Sequence, residues 1–155
     1  MRRFDLRSLR FGDASEVWRR LPVEVDPFVY GGLDYAVPDG SVDLLLTAGR
    51  VGDNVTLTAE FETAVIGPCQ RCLDDADVLI EVRGVEYVRH GDSEGQEEDE
   101  EGYVTSFIVD VGRWVRDLIA DELPPKLLCR DDCRGLCVVC GADLNADPEH
   151  RHDEA

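Results

Sequence analysis

Six cysteines in three close groups constrain this chain more than anything else in it: Cys69 with Cys72, Cys129 with Cys133, and Cys137 with Cys140. Ten residues beyond Cys140 stand His150 and, two further on, His152. Thiolates two or three residues apart on one turn can grip a single soft cation, and Zn²⁺ is the commonest such ion. In Cys137-Val-Val-Cys140-Gly141 the spacing allows a tight knuckle whose backbone N–H groups face sulfur, with a glycine free to take positive φ. Cys69-Gln-Arg-Cys72, preceded by Gly67-Pro68, is a second such turn, and Cys129 with Cys133 makes a looser chelating arc. These eight donors suffice for two tetrahedral ions. The favoured pairing puts Cys69, Cys72, Cys129 and Cys133 around one ion and Cys137, Cys140, His150 and His152 around a second. A single site made of the Cys69/Cys72 and Cys137/Cys140 knuckles stays open beside it, so one or two Zn²⁺ ions are expected. His90 has no partner at chelating spacing and reads as a surface residue.

Other chemistries use similar spacings. Cys133, Cys137 and Cys140 match the cluster spacing of radical-SAM enzymes, but too little chain follows for the barrel that chemistry requires. A thioredoxin-like Cys-x-x-Cys opens a helix in a βαβ unit, whereas Cys69 and Cys72 lie between two strands. A catalytic zinc keeps an open position, and no His-Glu-x-x-His motif is present. A structural metal and a non-enzymatic protein are therefore expected; the alternative is a thiol–disulfide or zinc-dependent enzyme using the Cys-x-x-Cys groups. No run is long and apolar enough to span a bilayer, and the first residues lack the apolar stretch of a signal peptide. A cytoplasmic location is expected, where disulfides are rare.

The formal net charge of −18 repels phosphate backbones and favours basic protein partners through steered, salt-sensitive association. Two divalent ions would not cancel six thiolates, so metal loading leaves the chain acidic. Arg2, Arg3, Arg7, Arg10, Arg19 and Arg20 outnumber Asp5, Asp13 and Glu16 in the first twenty residues. RNA contact is electrostatically possible only there, although arginines on a solvent-facing strand explain the same run.

The first ninety residues read as β. Leu21, Val23 and Val25 alternate with polar neighbours, and Val55 to Val65 is a long period-two run. With Val42–Ala48 before it and Gly52-Asp53-Asn54 between, the pair predicts a hairpin. Along Val78–Val88 the apolar phase switches at Gly84, which predicts a β-bulge. Asp92 to Glu101 holds seven acids and no base, a solvated acidic loop at about 91–102, after which a β segment is expected to resume over Tyr103–Val109. Asp110 caps a predicted helix over 110–123 whose apolar stripe is Val111, Trp114, Val115, Leu118 and Ile119, ended by Pro124-Pro125. The expected fold is α+β: a β-rich antiparallel sheet or partial barrel over residues 1–128 with one packing helix, then a Cys/His-rich zinc-knuckle extension over 129–155.

Taken together, Cys69-Gln-Arg-Cys72-Leu73, the acidic loop, the Asp-led helix ending at Leu123-Pro124, Cys133-Arg-Gly-Leu-Cys137-Val-Val-Cys140-Gly141 and Asp143-Leu144-Asn145 form one pattern. It resembles bacterial YceD-like proteins, also called large ribosomal RNA subunit accumulation proteins, over nearly the whole chain. Many relatives end in Cys-x-Cys where this chain has His150-Arg151-His152, which exchanges one pair of zinc ligands for another. The resemblance implies a non-enzymatic accessory factor for accumulation of large-subunit ribosomal RNA. It also implies proximity, in gene order, to a small basic zinc-binding ribosomal protein. A basic ribosomal protein or pre-ribosomal particle of the large subunit is thus the expected partner, with no membrane and no small-molecule substrate.

Overall fold

The computed structural model describes residues 1–52, 54–88 and 102–152. The acidic run, His90 and Asp53 lie outside the described residues. Strands β1 (Phe4–Asp5), β2 (Glu16–Glu24), β3 (Phe28–Tyr30), β4 (Leu33–Tyr35), β5 (Ser41–Val51), β6 (Asn54–Pro68), β7 (Asp75–Val88), β8 (Val104–Thr105) and β9 (Ile108–Val109) precede one helix, α1 (Val111–Glu122). The main sheet is antiparallel, ordered β2-β5-β6-β7, and among the described residues its outer strands β2 and β7 do not pair. Its predicted central hairpin is present: Val51 faces Asn54 across the turn, and Gly52 takes φ 62° as a tight reversal requires.

Period-two alternation places Leu21, Val23, Leu44, Leu46, Leu57, Ala59 and Val65 on one buried face. α1 covers that face, resting on β7 and β2. The Asp110 carboxylate accepts the Arg113 backbone N–H at 2.9 Å, and Val111, Trp114, Val115 and Ile119 are buried. Leu123 is extended before Pro124, so the helix ends where the prolines require it to.

The expected bulge at Gly84 is absent. Register between β6 and β7 runs unbroken from Val55↔Val88 to Pro68↔Asp75, through Ala59↔Gly84. Val85 and Tyr87 instead point outward in phase with Leu79, and all three are exposed. Gly84 is there for α1: a Cβ at that position would lie 2.5 Å from Leu118 Cδ1.

Two further differences concern short hairpins. Tyr103–Val109 does not resume as one strand. Ser106 and Phe107 adopt φ 50° and 67°, reversing the chain between β8 and β9, and β9 pairs with β1. The β3–β4 hairpin, turning at Gly31-Gly32 with φ 58° and 81°, has a signal in that Gly-Gly pair which the sequence reading left unused. It delivers Tyr35 onto Gly67, where a Cβ would meet the ring at 2.6 Å. Ala36 and Ile66 exchange backbone hydrogen bonds beside it (2.8 and 2.9 Å), which steadies the end of β6.

Three of the six N-terminal arginines are held by carboxylates. The Arg2 guanidinium forks onto Asp26 at 2.5 and 2.6 Å, Arg7 pairs with Asp5, and Arg20 pairs with Asp43. No helix among the described residues is long and apolar enough to cross a membrane.

Candidate metal centres

The two longest strands end at the first knuckle. Pro68 pairs with Asp75, so residues 69–74 form the whole connection between β6 and β7. The loop closes through Cys69 N–H to Asp74 C=O at 2.7 Å and Leu73 N–H to Cys69 C=O at 2.9 Å, with Leu73 at φ 65°. After α1 the chain passes back beneath it. Leu127 is buried and its carbonyl accepts the Gln70 N–H at 2.9 Å, which sets Cys129 and Cys133 opposite the knuckle.

Four sulfurs meet there: Cys69 Sγ lies 3.8 Å from Cys133 Sγ, and Cys72 Sγ lies 3.6 Å from Cys129 Sγ. Two thiolates each about 2.3 Å from one tetrahedral zinc stand about 3.8 Å apart, so the spacing suits such an ion. Cys69, Cys72 and Cys133 are buried, and Cys129 is exposed.

The second cluster is local. Leu136 bridges to Asp143, Cys137 N–H reaches Ala142 C=O at 2.8 Å, and Gly141 N–H reaches Cys137 C=O at 2.8 Å with φ 75°. A turn anchored by Asp147 N–H to Asp143 C=O returns the chain, so that His152 Nε2 stands 3.2 Å from Cys137 Sγ and His150 Nε2 3.2 Å from Cys140 Sγ. The two Nε2 atoms are themselves 3.2 Å apart. In each cluster all donor atoms lie within 4.8 Å of one another, and either could hold a metal ion.

The structure thus gathers all eight sequence-derived donors, in the pairing that tied the sheet to the chain beyond the helix. Cys69/Cys72 and Cys137/Cys140 do not share a cluster. All six cysteines are free thiols.

Electrostatics explains why these thiols call for a cation. Burial pushes the Cys69 thiol up, but the N–H groups of Cys129, Cys72 and Arg71 outweigh it and bring it to about 6. Cys72 is drawn down by the Asp74 N–H, yet burial and the sulfurs of Cys69, Cys129 and Cys133 drive it well above a normal thiol. Contact with Cys72 lowers Cys129, but burial and the sulfurs of Cys133 and Cys69 raise it overall. One thiolate forms readily and then opposes the others, so full ionisation needs a positive centre among them. In the second cluster the N–H groups of Cys140 and Val139, followed by His152, bring Cys137 to about 6.

Side chains the sequence reading did not single out hold these loops. The Asn145 amide nitrogen donates to Cys133 Sγ at 3.5 Å and to Asp143 Oδ1 at 2.9 Å. Its oxygen accepts from the Arg134 N–H and the Arg130 guanidinium, both at 2.8 Å. One amide thereby ties Cys133 to the turn at Asp143 and holds the backbone at Arg134. Arg71 donates its guanidinium to Cys133 C=O at 2.7 Å, and its own carbonyl accepts the Leu136 N–H at 3.1 Å. The Asp147 carboxylate lies 3.9 Å from His150 Nδ1, while Nε2 of the same ring faces the cluster.

Close approach at Arg71 requires Gly135, at φ 76°, because a Cβ there would stand 2.8 Å from the Arg71 carbonyl oxygen. Gly135→Ala is expected to displace Leu136 from Arg71 and cost roughly 2–3 kcal/mol, beyond the roughly 1–2 kcal/mol of a left-handed alanine alone. Gly141→Ala is the control, with φ 75° but open space around its Cβ position. Thermal denaturation of the two variants separates these terms, and equal losses would show that the contact with Arg71 is unimportant.

A family model described as "Large ribosomal RNA subunit accumulation protein YceD" matches residues 57–155, which include both clusters. An uncharacterized protein of Mycobacterium tuberculosis is 35% identical over 123 residues, 77% of this chain and 59% of the relative. A second, from Mycobacterium leprae, is 30% identical over 72% of this chain and 53% of the relative. The chain therefore spans little more than half the length of these mycobacterial relatives. A Zea mays protein named "Large ribosomal RNA subunit accumulation protein YCED homolog 1, chloroplastic" is 40% identical over 37 residues, 24% of this chain and 13% of the relative. No solved structure matches.

Proposed function

This chain belongs to the YceD family, and we propose that it is a non-enzymatic, cytoplasmic accessory factor for accumulation of large-subunit ribosomal RNA. The observation that carries this reading is the family match over residues 57–155. In this reading Cys69, Cys72, Cys129 and Cys133 hold one Zn²⁺, and Cys137, Cys140, His150 and His152 hold another. Residues 129–155 then act as a zinc-binding extension of the sheet domain. The ions would be structural: each cluster supplies four protein donors, which is how closed zinc sites are built. Four occupied positions leave none open for a substrate, which favours this reading over a thiol or zinc enzyme.

The partner is a basic ribosomal protein, or an assembling particle that carries one, attracted by a surface of net charge −18. Direct RNA contact is the weaker form of the idea, since Arg2, Arg7 and Arg20 are already held by carboxylates. Affinity capture from cells tests this at low and high salt. Large-subunit ribosomal proteins are expected at low salt and lost at high salt, as screened attraction requires. Recovery of RNA stripped of protein would overturn it.

A further inference from the structure

Among the described residues, α1 covers one face of the main sheet and leaves the other open. Register puts Trp18, Thr47, Thr58 and Val85 in one row across all four strands on that open face. Trp18 is 62% exposed and Val85 45%, and Tyr87, two residues along β7, is 70% exposed. Solvent-exposed aromatic residues of this size are uncommon on a surface with nothing to bind.

In the other direction along the strands the face becomes charged. The next row holds Arg20, Leu45, Glu60 and Arg83, with Arg20 bound to Asp43 at 3.1 Å and Arg83 to Glu60 at 3.4 Å. One row further, Glu62 and Glu81 stand directly opposite each other. Among the described residues no ion pair reaches either. Like charges directly across a strand pair repel and weaken the sheet. These rows line a shallow cleft of about 670 Å³.

From this juxtaposition we infer that the open sheet face is the docking surface for a basic polypeptide segment in which arginines or lysines are interspersed with apolar residues. The inference rests on the proposed binding of a basic protein and says where that protein sits. Cations of the segment meet Glu62 and Glu81 and relieve their repulsion. Apolar side chains lie along Val85 and Leu45, and a further cation stacks on Trp18 or Tyr87. Charge decides against the other occupants. Phosphates of a nucleic acid would face the same carboxylates, and a second copy of this chain would set those carboxylates against their own kind.

The test uses the whole zinc-loaded protein and a synthetic arginine- and lysine-rich peptide with interspersed leucines. Because Trp114 is buried and Trp18 exposed, the peptide is expected to protect Trp18 from acrylamide quenching. By titration calorimetry, Glu62→Gln with Glu81→Gln and, separately, Trp18→Ser with Tyr87→Ser are each expected to weaken binding about tenfold. Asp121→Asn with Glu122→Gln removes equal charge from the exposed side of α1 and is expected to change affinity less than about twofold. Unprotected Trp18, or equal weakening by the control pair, would overturn the assignment of this face and leave the partner reading standing. Tight binding of a single-stranded RNA that Trp18→Ser with Tyr87→Ser abolishes would overturn it too. Failed recovery of ribosomal proteins from cells would sink the partner reading, whatever the peptide does.

Discussion

Cys69→Ser is expected to empty the buried cluster and unfold most of the protein. Cys69 is fully buried at the hairpin tip of β6 and β7, and its sulfur faces Cys133, which lies 64 residues away in the chain. That cluster joins the main sheet to everything beyond α1. A structural zinc contributes about 10–16 kcal/mol of apparent folding free energy, as much as a typical domain's whole stability of about 5–15 kcal/mol. Loss of one ligand forfeits several kcal/mol of this and leaves Cys72, Cys129 and Cys133 facing one another. Elemental analysis should show one fewer zinc per chain, and circular dichroism should show a collapsed or much lower melting transition. Retention of full metal content with an unchanged melt would refute the assignment.

Cys137→Ser with Cys140→Ser makes the contrast. This cluster is partly exposed and closed within residues 137–152, so an ion held there would stabilise only the extension. Loss of the second zinc should raise hydrogen exchange over 129–152 while the main transition moves by no more than about 1 kcal/mol.

Trp114→Ala is expected to cost about 3–5 kcal/mol with both ions retained at low temperature. Trp114 is 2% exposed and is among the largest fully buried side chains, in contact with Tyr103 at 6.1 Å between ring centroids. Its removal opens a cavity in the core beneath α1. Chemical denaturation should show a lower midpoint at nearly unchanged slope. A loss below about 1 kcal/mol would mean that Trp114 does not hold the helix down.

These three expected effects rest on features that differ in how far the sequence alone specifies them. Period-two alternation in β5 and β6 reports burial on one face directly, because each side chain's face follows from its neighbour's. The stripe of α1 does the same at helical spacing, and Asp110 and Pro124 mark its ends. Gly84 misled because a glycine at a phase change suits a bulge and a helix contact equally well. Only the position of Leu118, 34 residues later, distinguishes them. The hairpin at Ser106-Phe107 was hidden because neither residue ordinarily favours positive φ, so no local preference announces the turn.

The donors were readable from spacing alone, because chelation by one turn is a local property of the backbone. Their grouping was open on that evidence: Cys72 and Cys129 meet across 57 residues, and their meeting depends on β6 and β7 keeping register and α1 returning the chain past Gln70. Gly135 gained its role the same way, from Arg71 far off in the chain. Short-range chemistry needs only neighbouring residues to be specified. Which distant turns share an ion, and which sheet face is left bare, is decided when loops close and the two faces compete for the helix.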